Sequence, residues 1–258
     1  MSAGPSFRLD GRVAVVTGAS SGLGAFFAQV LAEAGADVAI GARRTDELDS
    51  VRDAVLAAGR RCVAVRTDVT DPADCDALVD AAVRELGGLH VLVNNAGTGY
   101  AARAERDEPQ QVAGLFAVNL TGALQMATAA GRAMIAAGAG GSIVNIASAL
   151  GLRPGDVPQA AYTASKAGLL GMTRDLAQQW SGRHGIRVNA LAPGFFASEL
   201  TAPLLAHEAG LARVVARTPL GRVGRLEELA GPLLLLASDA GSYVTGATLS
   251  VDGGWAMH

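Results

Sequence analysis

The stretch Val13-Ala14-Val15-Val16-Thr17-Gly18-Ala19-Ser20-Ser21-Gly22-Leu23-Gly24 decides the fold of this chain. It predicts a β-strand over 13–17, a glycine-rich turn and a helix over 23–34. Glycines in such a turn allow a tight bend, the approach of a pyrophosphate to the backbone, and close packing of the helix on the strand. The free N–H groups at the helix N-terminus also favour phosphate. We interpret the turn as a nucleotide site, with glycines used for packing alone as the alternative.

Strand-like and helix-like segments alternate from this turn to the end of the chain. Further strands are predicted over 37–42, 61–67, 90–94, 142–147, 186–191 and 248–251. Helices are predicted over 45–58, 72–86, 108–137, 159–181 and 226–238, with short helices over 201–217. No linker, repeat or low-complexity stretch interrupts the series. The pattern predicts one α/β domain over residues 1–258, with a doubly wound, seven-stranded parallel sheet of the Rossmann type.

Composition excludes several classes of function. The net charge of −3 gives no electrostatic reason to expect nucleic acid or an anionic membrane as a partner. The longest apolar run, 233–237, is too short to cross a bilayer, and residues 1–6 lack the apolar stretch of a signal peptide. Cys62 and Cys75 have no metal-ligand spacing, and we interpret them as reduced thiols. We therefore expect a cytoplasmic protein without a metal site.

Tyr162 and Lys166 form the most informative pair in the second half of the chain. On a helix, residues four apart lie on the same face, one turn from each other. A free phenol has a pKa of about 10, and a neighbouring ammonium group favours the phenolate. The pair is therefore a candidate for acid–base catalysis near neutral pH. The same spacing also occurs by chance on many amphipathic helices, where the tyrosine is only a packed aromatic.

Several motifs, in order along the chain, make it resemble the short-chain dehydrogenase/reductase family, the single-domain type of about 250 residues. The glycine turn has the spacing Gly-x-x-x-Gly-x-Gly rather than Gly-x-Gly-x-x-Gly. The other motifs are Asn94-Asn95-Ala96-Gly97, Asn119, Ser148, the Tyr162/Lys166 pair, Pro193-Gly194 and Val251-Asp252-Gly253-Gly254. The resemblance covers nearly the whole length. It implies hydride transfer between a nicotinamide cofactor and a secondary alcohol or ketone.

The resemblance implies a role for each of four catalytic residues. Tyr162 would exchange the proton, and Lys166 would lower its pKa and bind the nicotinamide ribose. Ser148 would position the substrate oxygen, and Asn119 would anchor a water that relays the proton. Thirteen residues separate Ser148 from Tyr162, where the family usually has twelve. We expect the loop over 151–158 to absorb the extra residue at the surface and to alter the shape of the substrate site rather than the catalytic residues.

The cofactor site implied by the family includes the end of the second strand. Ala42 stands where an acid would select NAD, and Arg43 and Arg44 follow, which favours the 2′-phosphate of NADP(H). NAD(H) is the alternative, since the arginines fit a solvated helix start and Ser20 and Ser21 fill the place of the family's basic residue. Asp68 is either an adenine contact or a helix N-cap. The predicted cofactor-binding residues are Gly18, Ser20, Ser21, Gly22, Leu23, Gly24, Arg43, Arg44, Asp68, Val69, Asn95, Ala96, Gly97, Tyr162, Lys166, Pro193, Gly194, Phe196 and Ser198.

The region over about 194–225 resembles a substrate lid. Its apolar residues suit an apolar or mid-sized substrate, or a lid that packs on its own domain; they are Phe195, Phe196, Leu200, Leu204, Leu205, Leu211, Val214 and Val215. His207, Glu208, Arg213 and Arg217 are candidates to recognise a polar group, but their spacing is typical of a solvated helix face. The Tyr-x-x-x-Lys spacing argues against the enoyl-reductase branch. The C-terminal motif usually accompanies a homotetramer, so we expect a homo-oligomer. A catalytically silent NAD(P)-binding regulator is the alternative function.

Overall fold

Seven parallel strands form one continuous sheet, as the sequence predicts. The computed structural model describes residues 6–198 and 201–257. The strands pair in the order β3-β2-β1-β4-β5-β6-β7, and every pairing is parallel. They are β1 Val13–Thr17, β2 Asp37–Ala42, β3 Cys62–Arg66, β4 Val91–Asn94, β5 Gly141–Ile146, β6 Ile186–Pro193 and β7 Thr248–Val251. The doubly wound α/β fold is confirmed.

The helices fall close to their predicted positions. They are α1 Gly22–Glu33, α2 Thr45–Ala57, α3 Pro72–Ala81, α4 Pro109–Phe116, α5 Ala123–Ala137, α6 Ala149–Leu152, α7 Ala160–His184, α8 Ala202–Leu205, α9 Glu208–Arg217 and α10 Ala230–Ala237. Two π-helical turns were not predicted: Ala82–Leu86 extends α3, and Ala117–Gly122 joins α4 to α5. The short α6 was also missed. Its four residues are too few to show a helical period in the sequence.

The order of the strands creates a crevice for a ligand. From β1 the chain builds outward through β2 and β3, then returns to the other side of β1 with β4. The residues that follow β1 and β4 therefore diverge at the carboxyl edge of the sheet, where open α/β folds bind their ligands. The glycine turn follows β1, and Asn95, Ala96 and Gly97 follow β4.

Alternate residues of β1 enter hydrophobic cores on the two faces of the sheet. Ala14 and Val16 pack with α1 and α10, whereas Val13 and Val15 pack with α3 and α5. All five residues of the strand are buried, as expected for a parallel strand covered on both faces. The small side chains of the helices bring them close to the sheet, and Ala28, Ala127 and Ala130 are all fully buried.

The continuous helical segment Pro109–Ala137 is long and apolar enough, by length and composition alone, to cross a membrane. In the structure one face of α5 packs instead between the sheet and α3, with Met126, Ala130 and Met134 fully buried. Such a buried core helix passes the same compositional test. The segment therefore carries no argument for membrane insertion.

Candidate active site

A cavity of about 320 Å³ lies outside the carboxyl ends of β1, β2 and β4. It brings together most of the residues predicted to bind the cofactor. Those that line it are Gly18, Ser20, Ser21, Gly22, Leu23, Gly24, Arg43, Arg44, Asp68, Val69, Asn95, Ala96, Gly97, Tyr162, Lys166 and Ser198. We call this space the nucleotide cavity.

The glycine turn forms a cradle that larger residues would fill. Gly18 and Gly22 have φ of +61° and +54°, a conformation that L side chains rarely adopt. A Cβ at Gly24 would lie 2.2 Å from the carbonyl oxygen of Gly18 and 2.5 Å from Nδ2 of Asn95. Ser21 is the N-cap of α1, but its side chain makes no capping hydrogen bond. The N–H groups of the first turn are therefore not capped by Ser21, and the cradle fits a pyrophosphate.

Thr17 and Asn95 fasten the two sides of this cavity together. The hydroxyl of Thr17 accepts hydrogen bonds from the backbone N–H groups of Asn95 and Ala96, each at 3.0 Å. The side-chain amide of Asn95 donates to the carbonyl oxygens of Thr17 at 3.0 Å and Gly18 at 3.1 Å. The end of β4 is thereby held against the glycine turn, which fixes the shape of the cradle before any ligand binds.

Two arginines lie at the open side of the nucleotide cavity. Arg44 donates to the hydroxyls of Ser20 at 3.2 Å and Ser21 at 2.8 Å, and it pairs with Glu47 at 3.1 Å. Arg43 is exposed and, within the described residues, makes no hydrogen bond or ion pair. Arg44 therefore supports the glycine turn, whereas the guanidinium group of Arg43 is available to a ligand.

Asp68 lines the nucleotide cavity and does not cap α3. The N-cap is Asp71, whose carboxylate accepts from the backbone N–H of Ala73 at 2.9 Å. The N-cap alternative for Asp68 is therefore wrong, because the helix begins three residues later than that alternative needs. Asp68 instead accepts from the backbone N–H and the hydroxyl of Thr70, and these bonds hold its pKa below the usual range. It therefore presents a carboxylate to the cavity.

Tyr162 and Lys166 lie one turn apart on α7, both buried, with Lys166 Nζ 5.9 Å from the centroid of the phenol ring. Lys166 donates to the carbonyl oxygen of Ile146 at 2.8 Å. Burial lowers the pKa of Lys166 to about 8 and raises the pKa of Tyr162 above its ordinary value of 10.0, although a hydrogen bond with Ser148 acts in the opposite direction. We expected the ammonium group of Lys166 to lower the pKa of Tyr162. In the protein without cofactor the effect of burial is larger, because burial penalises the charged form of both groups.

Ser148 and Asn119 hold the surroundings of Tyr162 in place. Ser148 is the N-cap of α6, and its hydroxyl accepts from the backbone N–H of Leu150 at 3.1 Å. Asn119 lies in the π-helical turn between α4 and α5 and does not line the nucleotide cavity. Its side chain accepts from the backbone N–H of Thr98 and donates to the carbonyl oxygen of the same residue, both at 2.8 Å, and it donates to Ser165 at 3.1 Å. Asn119 thus ties the segment after β4 to α7.

A second cavity of about 440 Å³ meets the nucleotide cavity at Leu23, Ala147, Tyr162 and Ser198. Ser148 lines only this second cavity and Lys166 only the first, so Tyr162 lies between them. We call the second space the substrate cavity. Pro193, Gly194 and Phe196, predicted to bind the cofactor, line the substrate cavity and not the nucleotide cavity. Phe196 is also buried in the core beside α1 and α10.

The walls of the substrate cavity are mainly apolar. Phe195, Phe196, Leu204 and Val214 of the predicted lid line it; Leu205, Leu211 and Val215 do not, and Leu200 lies outside the described residues. The loop that carries the extra residue contributes Gly155, Asp156 and Val157. That loop therefore shapes the substrate cavity, as expected from its position between Ser148 and Tyr162.

Several residues that line this cavity were not predicted from the sequence, including Tyr100, Gln159 and Trp255. Trp255 is buried, its ring lies edge-on to Phe195 with centroids 5.5 Å apart, and the guanidinium of Arg217 stacks on it at 4.0 Å. Asp252 accepts from the backbone N–H groups of Gly254 and Ala256, which folds the tail back so that Trp255 reaches the cavity. The place of Trp255 in the cavity wall could not be predicted from the sequence, because Trp255 lies far along the chain from the other site residues.

Comparisons with known proteins agree with this geometry. Residues 18–256 match a protein-family model described as enoyl-(acyl carrier protein) reductase. The chain is 40% identical to 2-dehydro-3-deoxy-D-gluconate 5-dehydrogenase of Escherichia coli (strain K12), over 97% of each protein. It is 46% identical to cis-4-hydroxycyclohexanecarboxylate dehydrogenase of Sinomonas cyclohexanicum, over 95% of this chain and 96% of that protein. Among solved structures, a gluconate 5-dehydrogenase from Burkholderia cenocepacia J2315 in complex with NADP and tartrate superposes with a TM-score of 0.92, at 37% identity and 98% coverage of each chain.

Proposed function

The chain belongs to the short-chain dehydrogenase/reductase family, and on that premise we propose that it is an NADP-preferring oxidoreductase that interconverts a secondary alcohol and a ketone. One observation carries the proposal: Tyr162 lines both the nucleotide cavity and the substrate cavity. A hydroxyl in that position reaches a substrate oxygen while the reacting carbon faces the cofactor.

NADP(H) is the cofactor that this chain's residues fit. The glycine cradle and the first turn of α1 would hold the pyrophosphate, and Arg43 would bind the 2′-phosphate. Ala42, at the end of β2, carries no carboxylate to repel that phosphate. The related gluconate 5-dehydrogenase was solved with NADP. When bound, the cofactor supplies or accepts the hydride.

In the reducing direction Tyr162 donates the proton of its hydroxyl to the carbonyl oxygen. Burial supports this role, because the raised pKa keeps the phenol protonated at neutral pH. Ser148 orients the same oxygen with its hydroxyl from the side of the substrate cavity. Lys166, on the other side of Tyr162, holds its ammonium group where it stabilises a developing phenolate. In the oxidising direction Tyr162 is the base.

Asn119 supports the reaction indirectly in this proposal. Its side chain joins the segment after β4 to α7 through Thr98 and Ser165. Because Tyr162 and Lys166 both lie on α7, this network fixes their position in the wall of the nucleotide cavity. Asn119 is therefore a positioning residue here.

We favour a carbonyl–alcohol reaction over enoyl reduction, despite the description of the matching family model. The Tyr-x-x-x-Lys spacing of Tyr162 and Lys166 argues against the enoyl-reductase branch, and both relatives described above are named as dehydrogenases. A catalytically silent regulator has no use for Tyr162, Ser148 and Lys166 around one junction. We also propose a cytoplasmic homo-oligomer; the free thiols of Cys62 and Cys75 are in keeping with a reducing compartment.

The test is the consumption of NADPH, and separately of NADH, by the purified protein. The panel contains neutral ketones, keto acids, keto sugars and ketoacyl thioesters. We expect turnover of a ketone class with NADPH and slower turnover with NADH. NADPH binding without turnover of any carbonyl compound would support the regulator instead.

A further inference from the structure

Arg213 stands out among the residues that line the substrate cavity. We propose that it is a specificity-determining residue that binds a carboxylate of the substrate, so that the substrate is a keto acid or hydroxy acid with an apolar body. This inference rests on the proposed function and deepens it. The sequence leaves two interpretations open for Arg213, recognition of a polar group or a solvated helix face, and its place in the lining of the cavity favours the first.

The geometry of α9 directs Arg213 towards the cavity. Arg213 and Arg217 are four residues apart and therefore lie on the same face of the helix. The guanidinium group of Arg217 stacks on Trp255, which forms part of the cavity wall. Val214, next to Arg213, is buried and also lines the cavity. Arg213 itself is exposed, which puts it at the mouth of the cavity.

None of the described residues around the cavity supplies a counter-ion for Arg213. The carboxylate of Asp156 lines the same cavity, but it accepts from Arg217 at 3.0 Å. Arg217 also donates to the carbonyl oxygen of Pro154 at 3.1 Å, so both of its terminal nitrogens are occupied. Within the described part of the chain, Arg213 makes no hydrogen bond or ion pair. Among the described residues that line this cavity it is the only cationic side chain, and its planar fork matches the geometry of a carboxylate.

The rest of the cavity favours an apolar body over a polyhydroxylated one. Leu150, Val157, Phe195 and Trp255 provide broad apolar surfaces. Several polar side chains of the lining are already engaged, because Ser198 bonds to Thr201 and Asp156 accepts from Arg217. With Ser148 and Tyr162 assigned to the reacting oxygen, Tyr100 and Gln159, the N-cap of α7, are left to pair with the hydroxyls of a sugar acid. Unpaired hydroxyls lose affinity when they are transferred to such a surface. A ring or chain of carbon atoms with a ketone at one end and a carboxylate at the other matches the distribution of groups.

The experiment compares 4-oxocyclohexanecarboxylate with its neutral carboxamide, which has the same carbon skeleton. Initial rates with NADPH are measured for the wild type, Arg213→Gln, Arg213→Lys and the control Arg174→Gln. Arg174 is an exposed arginine on α7 that lines neither cavity. We expect the wild type to prefer the acid by about tenfold in kcat/KM, the contribution of a charge-assisted hydrogen bond at a partly exposed site. Arg213→Gln should remove this preference mainly through KM, Arg213→Lys should keep part of it, and Arg174→Gln should keep all of it.

Salt provides a second readout, because an ion pair at the cavity mouth is screened. The preference of the wild type for the acid, measured as the ratio of kcat/KM for acid and carboxamide, should fall as the ionic strength rises. The fall should come from the acid, because the carboxamide carries no charge that pairs with Arg213. Equal rates for acid and amide in the wild type, or an equal loss for both in Arg213→Gln, would overturn the inference and leave the proposed function intact. Turnover of neutral ketones with no turnover of keto acids would likewise overturn the inference and leave the proposed function intact. No NADPH-dependent turnover of any ketone would refute the proposed function itself, and the inference with it.

Discussion

Replacement of Arg43 by alanine tests the cofactor preference. Arg43 lines the nucleotide cavity just beyond β2, is exposed, and makes no hydrogen bond or ion pair within the described residues. Its removal therefore breaks no contact that supports the fold. We expect Arg43→Ala to weaken binding of NADPH selectively, because the 2′-phosphate is absent from NADH.

The magnitude follows from the setting of the side chain. A hydrogen bond to a charged group contributes about 1.5–3 kcal/mol, and exposure to solvent reduces this value. We take a value just below this range, about 1.4 kcal/mol, which corresponds to a tenfold change in Kd. We therefore expect Kd for NADPH to rise about tenfold and Kd for NADH to change less than twofold.

Arg44→Ala is the matched comparison for Arg43→Ala, because Arg44 lines the same cavity but bonds to neighbouring side chains of the protein. It donates to Ser20 and Ser21 of the glycine turn and pairs with Glu47. Arg44→Ala should therefore weaken NADPH and NADH together, because the turn that holds the pyrophosphate loses its support. Titration of each purified variant with both cofactors, followed by nicotinamide fluorescence, measures the four constants. An equal loss of NADPH and NADH affinity in Arg43→Ala would refute the 2′-phosphate assignment.

Two further predictions concern pH and the glycine turn. Because burial raises the pKa of Tyr162, ketone reduction, which needs the phenol, should be retained at neutral pH and decline in alkali. Alcohol oxidation should rise from pH 6 to pH 8, a range in which Lys166, with its pKa lowered to about 8, still carries charge that stabilises the phenolate. Initial rates in both directions measure this, and oxidation that is fastest at pH 6 would contradict it. Gly24→Ala should abolish tight NADPH binding and lower the free energy of unfolding by several kcal/mol, since its Cβ would lie 2.2 Å from the carbonyl oxygen of Gly18. The control is Gly171→Ala, on a helix where nothing lies within 4 Å of the added carbon. In denaturant unfolding it should be neutral or stabilising by up to about 1 kcal/mol. Equal behaviour of the two variants would contradict the close packing of the cradle.

The sheet could be predicted from sequence because its signals are local. Each strand is a short apolar run bounded by a turn, and the glycines at 18, 22 and 24 mark the switch from β1 to α1. The π-helical turns are different, because their residues are as apolar and helix-forming as those of α4 and α5. A change in the hydrogen-bond register leaves no mark in composition.

The nucleotide side of the site was also largely predictable. Its residues directly follow strands, and the carboxyl ends of parallel strands gather at one edge of the sheet. The substrate side was not, because it is assembled from distant parts of the chain. Arg213 on α9, Trp255 in the tail and the loop before Tyr162 meet only after folding. The predicted direction of the shift in the Tyr162 pKa was wrong for a related reason. The sequence showed the neighbouring charge of Lys166 but not how deeply both side chains are buried.

The central claim is that Tyr162 transfers the proton between the two cavities, and Tyr162→Phe tests it most directly. The change removes one oxygen atom and keeps the ring that packs with Leu115, Leu150 and Trp255. With a ketone that the wild type reduces, we expect kcat to fall by at least about 100-fold, the usual contribution of a general acid, while Kd for NADPH changes less than twofold. Turnover within a few-fold of the wild type at unchanged NADPH affinity would show that another group donates the proton.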